Sequence, residues 1–347
     1  MRRTLVAVTL VLAGCSPAGT GTPPPARSCA SPSPCVPSSR EAAAMSFTNP
    51  VHPENFPDPG ALLADGTWYA YGTNGPRGNV PVMTSPDLVH WTPAGDALPQ
   101  VGAWAEKGDT WAPEVARGPG GTYLLYYTAR STATGRQCVG VATADQPAGP
   151  FTDEADQPLV CQAGEGGSID ASPFTDSSGA RWLHWKNDGN AIGQPTYLYG
   201  ARLAADGRRI EGEPERLLRN DAQWEAHVIE APQMVEHDGR LYLFYSANAF
   251  DSDAYAMGYA VCESPLGPCR KAAENPILRS TAAADGPGHS FLVTLPSGAT
   301  WLLYHAWPPG AVGSVTPGRQ LWLDRVDWVD GRPVVRGPSV DHPAAPA

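Results

Sequence analysis

The chain has 347 residues and 42% hydrophobic content, enough to bury a large core. Its 37 Gly and 37 Pro, with no long stretch of helical apolar spacing, argue against a helical protein and for turn-rich β structure. A net charge of −11 argues against a nucleic-acid partner, which requires clustered Lys and Arg, and is compatible with a neutral sugar.

Met1-Arg2-Arg3 and the apolar run at residues 5–13 have the charged start and short hydrophobic core of a secretory signal, too short to span a bilayer. The run ends in Leu12-Ala13-Gly14-Cys15, which resembles a bacterial lipobox. Residues 1–14 are therefore predicted to be a lipoprotein signal peptide, with Cys15 acylated and the protein extracytoplasmic, anchored to the membrane or secreted. Residues 15–44 are rich in Pro, Ser, Ala, Gly and Thr and lack the apolar side chains needed to offset ordering entropy. They read as a disordered tether.

The other six cysteines fall into near pairs: Cys29 with Cys35, Cys138 with Cys161, and Cys262 with Cys269. Nearest-partner disulfides suit an oxidising compartment, although six cysteines allow fifteen pairings. Zinc is the rival, but no Cys-x-x-Cys spacing supports it.

From residue 45 onward one pattern recurs: a short strand, a Gly turn, and an aromatic strand. Residues 59–63 lead through Asp65-Gly66 to Trp68-Tyr69-Ala70-Tyr71, and residues 113–115 through Gly120-Gly121 to residues 123–127. Residues 170–174 lead through Ser178-Gly179 to Trp182-Leu183-His184-Trp185. Residues 229–232 lead through His237-Asp238-Gly239 to residues 241–245, and residues 289–293 through Ser297-Gly298 to residues 301–304. Pro59, Pro113, Pro173 and Pro232 lie 54, 60 and 59 residues apart, with Phe291 a further 59 on. Five such units predict an all-β, five-bladed β-propeller over residues 45–340, followed by a short tail at 341–347. Residues 320–328 and 333–335 supply outer strands of the last blade, and the opening segment at 45–51 is expected to add a strand there and close the ring.

In a propeller the first strands line the axis, so Asp58, Trp111, Asp170, Glu230 and His289 should meet around one pocket. Singly, each acid has a plain structural reading as a turn residue, a turn cap or a paired surface charge. Together, three carboxylic acids at corresponding places of the repeat suit glycosidic cleavage, in which one acid protonates the leaving oxygen and another activates water or attacks. Glu230 sits between apolar residues in the sequence with few charges beside it, which makes it the candidate general acid.

The ordered motifs Asn55-Phe56-Pro57-Asp58-Pro59, Trp111-Ala112-Pro113-Glu114-Val115, Ile169-Asp170-Ala171-Ser172-Pro173-Phe174, Ile229-Glu230-Ala231-Pro232 and Gly288-His289-Ser290-Phe291 resemble those of the family 43 glycoside hydrolases. The resemblance implies hydrolysis of α-L-arabinofuranosyl or β-D-xylosyl linkages with inversion. It makes Asp58 the general base, Glu230 the general acid and Asp170 the pKa modulator, with Trp111 and Phe56 binding substrate. No cofactor is required; in several relatives the histidine at His289 holds a central cation or ordered solvent, which makes a structural calcium on the axis a secondary expectation. The expected protein is a monomeric arabinofuranosidase acting on arabinan or arabinose-decorated polysaccharide. The alternatives are a β-D-xylosidase of the same fold and a lipoprotein that captures oligosaccharides without cleaving them.

Overall fold

The computed structural model describes residues 46–346. The predicted signal peptide and tether, with Cys15, Cys29 and Cys35, lie outside those residues.

Two short strands come first, β1 (Phe47–Thr48) and β2 (His52–Asn55). Blade one is β3 (Gly60–Ala64), β4 (Thr67–Tyr71), β5 (Pro81–Ser85) and β6 (Thr92–Asp96); blade two is β7 (Trp111–Arg117), β8 (Tyr123–Arg130) and β9 (Gln137–Ala144). Blade three is β10 (Ser168–Thr175), β11 (Arg181–Asn187), β12 (Tyr197–Leu203) and β13 (Ile210–Arg219). Blade four is β14 (Ile229–His237), β15 (Arg240–Ala247), β16 (Ala256–Cys262) and β17 (Cys269–Lys271). Blade five is β18 (Asp285–Thr294), β19 (Thr300–Trp307), β20 (Gln320–Val329) and β21 (Arg332–Val335), and β22 (Asp341–His342) follows. The first strands pack in a ring, β3 on β7, β7 on β10, β10 on β14, β14 on β18, and β18 back on β3. The protein is a five-bladed β-propeller.

The aromatic second strands are buried on both faces because each blade lies between two others. In β8, Leu125 and Tyr127 join a core shared with Tyr71 and Val82 of blade one, whereas Leu124 and Tyr126 join Leu183 and Trp185 of blade three. The period-two alternation of a strand thus feeds two cores, and five such cores fill the five interfaces. Each fully buried Leu or Phe contributes roughly 1.5–3 kcal/mol. Asp65-Gly66 and Asp238-Gly239 turn the first hairpins of blades one and four with positive φ at both residues, as two-residue hairpin loops require.

Ring closure differs from the expectation in its register. The strand that joins the last blade is β2, paired with β20, and not residues 45–51. β1 pairs instead with β22, inside the segment expected to be a tail. Between them the Asn49 side chain imitates a strand, donating to Leu323 O at 2.8 Å and accepting Leu323 N–H at 2.9 Å. Disulfides join Cys138 to Cys161 and Cys262 to Cys269, both as paired from the sequence.

Candidate active site

Near the axis each blade places a non-glycine residue with positive φ at its first strand: Ala112, Asp170, Ala231 and His289 within the strands of blades two to five, and Asp58 just ahead of β3. In blades two to five the ladder register shifts across this residue, as at a bulge. Trp111 and Glu230 therefore stand one residue ahead of the positions that Asp58, Asp170 and His289 occupy, which corrects the one-to-one correspondence read from the sequence. All five nevertheless line one cavity of about 400 Å³, together with Thr73, Lys186, Asp188, Asn190, Phe250 and Arg319. Phe56 is elsewhere. It is 3% exposed, in a core cluster with Trp68 and Leu321, and does not line the cavity.

Asp58 is surrounded by donors. Arg319 Nη1 donates to its Oδ1 at 2.7 Å, Thr73 Oγ1 donates to its Oδ2 at 2.6 Å, and His289 Nδ1 lies 3.4 Å from Oδ1. Burial alone would raise this carboxyl, but Arg319, with His289, holds it well below the usual carboxylate range. Burial pushes His305 down to about 4, so its ring is neutral and Nδ1 is free to accept the Asp58 N–H at 3.2 Å.

Asp170 is the opposite case. Burial pushes Asp170 up to about 6, with neighbouring Glu230 adding to the rise and His289 and Lys186 opposing it. Glu230 is not the charge-poor group its sequence neighbours suggested: Lys186 Nζ donates to its Oε2 at 3.1 Å and Tyr255 OH to its Oε1 at 2.8 Å. Tyr255 is fully buried and passes directly over Gly288, where an added Cβ would lie 2.3 Å from its ring.

Lys186, Tyr255, Arg319, Thr73 and His305 escaped the sequence reading. Lys186 and His305 do carry a signal, a polar residue directly after an aromatic strand, but nothing local says which carboxylate they meet. His289 lies beside Asp58, and among the described residues no three His, Cys, Asp or Glu side chains are grouped to hold a metal ion.

The sequence pattern of Glycosyl hydrolases family 43 matches residues 47–333. The chain belongs to that family. This family 43 protein is thus a glycoside hydrolase of an inverting family. It is similar to the Beta-D-galactofuranosidase xynD of Aspergillus niger, at 26% identity over 273 residues, covering 74% of this chain and 75% of the relative. It is also similar to an Extracellular exo-alpha-(1->5)-L-arabinofuranosidase of Streptomyces avermitilis, at 27% identity, covering 96% of this chain and 70% of the relative. A solved thermostable family-43 glycoside hydrolase superposes with a TM-score of 0.77 at 29% identity, covering 87% of this chain and 99% of the other. The disulfides of this hydrolase fit an extracytoplasmic compartment.

Proposed function

We propose that this hydrolase releases terminal α-L-arabinofuranosyl units from arabinan or arabinose-decorated plant polysaccharide. Asp58 is the general base: held ionised, it takes a proton from water as the oxygen attacks the anomeric carbon. Glu230 is the general acid, giving its proton to the departing glycosidic oxygen. Asp170 is the pKa modulator, held next to Glu230 by the Ala231 N–H. The observation that carries this reading is the contrast between two acids of one cavity, Asp58 held down by Arg319 and Asp170 raised by burial beside Glu230. Trp111 and Phe250 supply aromatic faces for the C–H surfaces of the sugar.

The names of the two relatives support a furanosyl substrate. β-D-galactofuranosyl and α-L-arabinofuranosyl rings share ring size and configuration and differ in the exocyclic carbon. Acylation of Cys15 would hold the enzyme at the membrane where such polymers arrive, and a lipid-sized mass increase at that residue in the isolated protein checks it.

The test is hydrolysis of aryl α-L-arabinofuranoside, β-D-galactofuranoside and β-D-xyloside side by side, with linear arabino-oligosaccharides beside them. Arabinofuranoside turnover that collapses on the oligosaccharides in Glu230→Gln supports the reading. Preference for the xyloside moves the substrate to xylosyl, and glycan binding without turnover of any of them rejects it.

A further inference from the structure

One register position recurs at the end of the second strand of each blade. Thr128 pairs with Trp111, Lys186 with Ile169, Ser246 with Glu230 and His305 with Gly288, and Thr73 takes the same place beside Pro57. Four of these side chains accept the N–H of the left-handed residue in the next blade. Thr73 caps Ala112 at 2.9 Å, Thr128 caps Asp170 at 3.3 Å, Ser246 caps His289 at 2.8 Å, and His305 caps Asp58 at 3.2 Å.

Lys186 is the exception, because an ammonium group has no lone pair to accept with. The Ala231 N–H turns instead to Asp170 Oδ2, at 3.0 Å, and this fixes Asp170 beside the neighbouring Glu230. The ammonium lies 3.1 Å from Glu230 Oε2 and 3.8 Å from Asp188 Oδ1, on a side chain 1% exposed. Threonine or serine would serve the fold here, as in three other blades, without the several kcal/mol that burying a charge costs. The charge therefore serves the carboxylates.

We infer that Lys186 is the positioning residue of Glu230, moving between Asp188 while Glu230 carries its proton and Glu230 Oε2 once that proton has left. The proton goes to the glycosidic oxygen, its electron pair stays on Glu230, and the ammonium stabilises the new carboxylate without losing a proton itself. Burial alone would lower the Lys186 ammonium, but Glu230, Asp170 and Asp188 raise it, so it stays charged throughout. The other groups facing this cluster are Tyr255 before β16 and His289 on β18, while Arg136 reaches Asp188 from blade two. Asp58 and Arg319 line the same cavity.

This inference rests on Glu230 as the proposed acid. The experiment is kcat/KM against pH, on whichever oligosaccharide the wild type cleaves, for Lys186→Thr, Lys186→Arg and Asp188→Asn, with Glu230→Gln as control. Lys186→Thr removes a cation that favours the carboxylate, so the high-pH limb should move up by roughly 1–3 pH units while kcat falls. Asp188→Asn removes an anion and should move that limb down. Lys186→Arg should bring it back towards wild type. A high-pH limb that stays in place in the Thr and Asn variants, with wild-type melting temperatures, overturns the role of Lys186. If Lys186→Thr does not fold, the direction of the Asp188→Asn shift decides alone. A Glu230→Gln enzyme that keeps the wild-type profile overturns the acid assignment instead, so the two failures are distinguishable.

Discussion

The Arg319 guanidinium reaches Asp58 Oδ1 at 2.7 Å across a sequence separation of 261 residues. Arg319 lies just before β20, to which β2 is paired, so the contact that keeps Asp58 ionised exists only in the closed ring.

Arg319→Met is expected to raise the low-pH limb of kcat/KM, because Asp58 loses the largest influence holding its carboxyl down. The stability effect has the same origin. A depressed carboxyl contributes stability above the ordinary value near ~4, and that contribution fades as pH falls through its folded value. Arg319→Met should therefore lose stability mainly above that ordinary value, as chemical denaturation at pH 3 and pH 6 would show.

Asp58→Asn and Glu230→Gln should differ in their dependence on the leaving group. Loss of the base should lower kcat/KM by about 10²–10⁴-fold on aryl glycosides and oligosaccharides alike. Loss of the acid should do so on oligosaccharides but spare aryl substrates, whose leaving groups need little protonation. Equal losses on both substrates in Glu230→Gln would contradict its assignment.

Asp170→Asn is expected to reduce activity while stabilising the fold at neutral pH. With its folded pKa raised to about 6, Asp170 makes stability fall as pH climbs from the ordinary carboxylate value to 6. Removing that charge should add on the order of 1–3 kcal/mol at pH 7 and nothing at pH 3. Urea denaturation at the two pH values measures the difference.

Gly288→Ala should act on Glu230 through Tyr255, whose ring an added Cβ would meet at 2.3 Å. Overpacking a filled site costs typically ~1–3 kcal/mol, so the melting temperature should fall together with kcat. Tyr255→Phe should reproduce the loss of kcat, since it deletes the 2.8 Å hydrogen bond to Glu230, without an overpacking cost.

The strand–turn–aromatic repeat was legible because it is local: period-two alternation, Asp-Gly turns, and rings that each blade interface buries. Those cues specified five blades, two of the disulfides and the acids Asp58, Asp170 and Glu230 as axis residues. The resemblance assigned Phe56 to the substrate because it stands next to Asp58 in the same motif, but its side chain points into a core cluster. Those cues also read Asp58, Trp111, Asp170, Glu230 and His289 as equivalent, because a bulge that shifts the register by one residue leaves no mark in composition.

By itself, then, the sequence determined the propeller and the acids at its axis, since hydrophobic periodicity and turn chemistry act over a few residues. Only the tertiary structure decided how each acid is charged. Arg319, His305, Tyr255 and Lys186 come from other strands and blades or from the loops between them, and electrostatic energy depends on distances through space that chain order does not encode. Ring closure brings Arg319 to Asp58, and the packing of blade three on blade four brings a second acid, Asp170, as well as Lys186 to Glu230, which gives chemically similar carboxyl groups different surroundings.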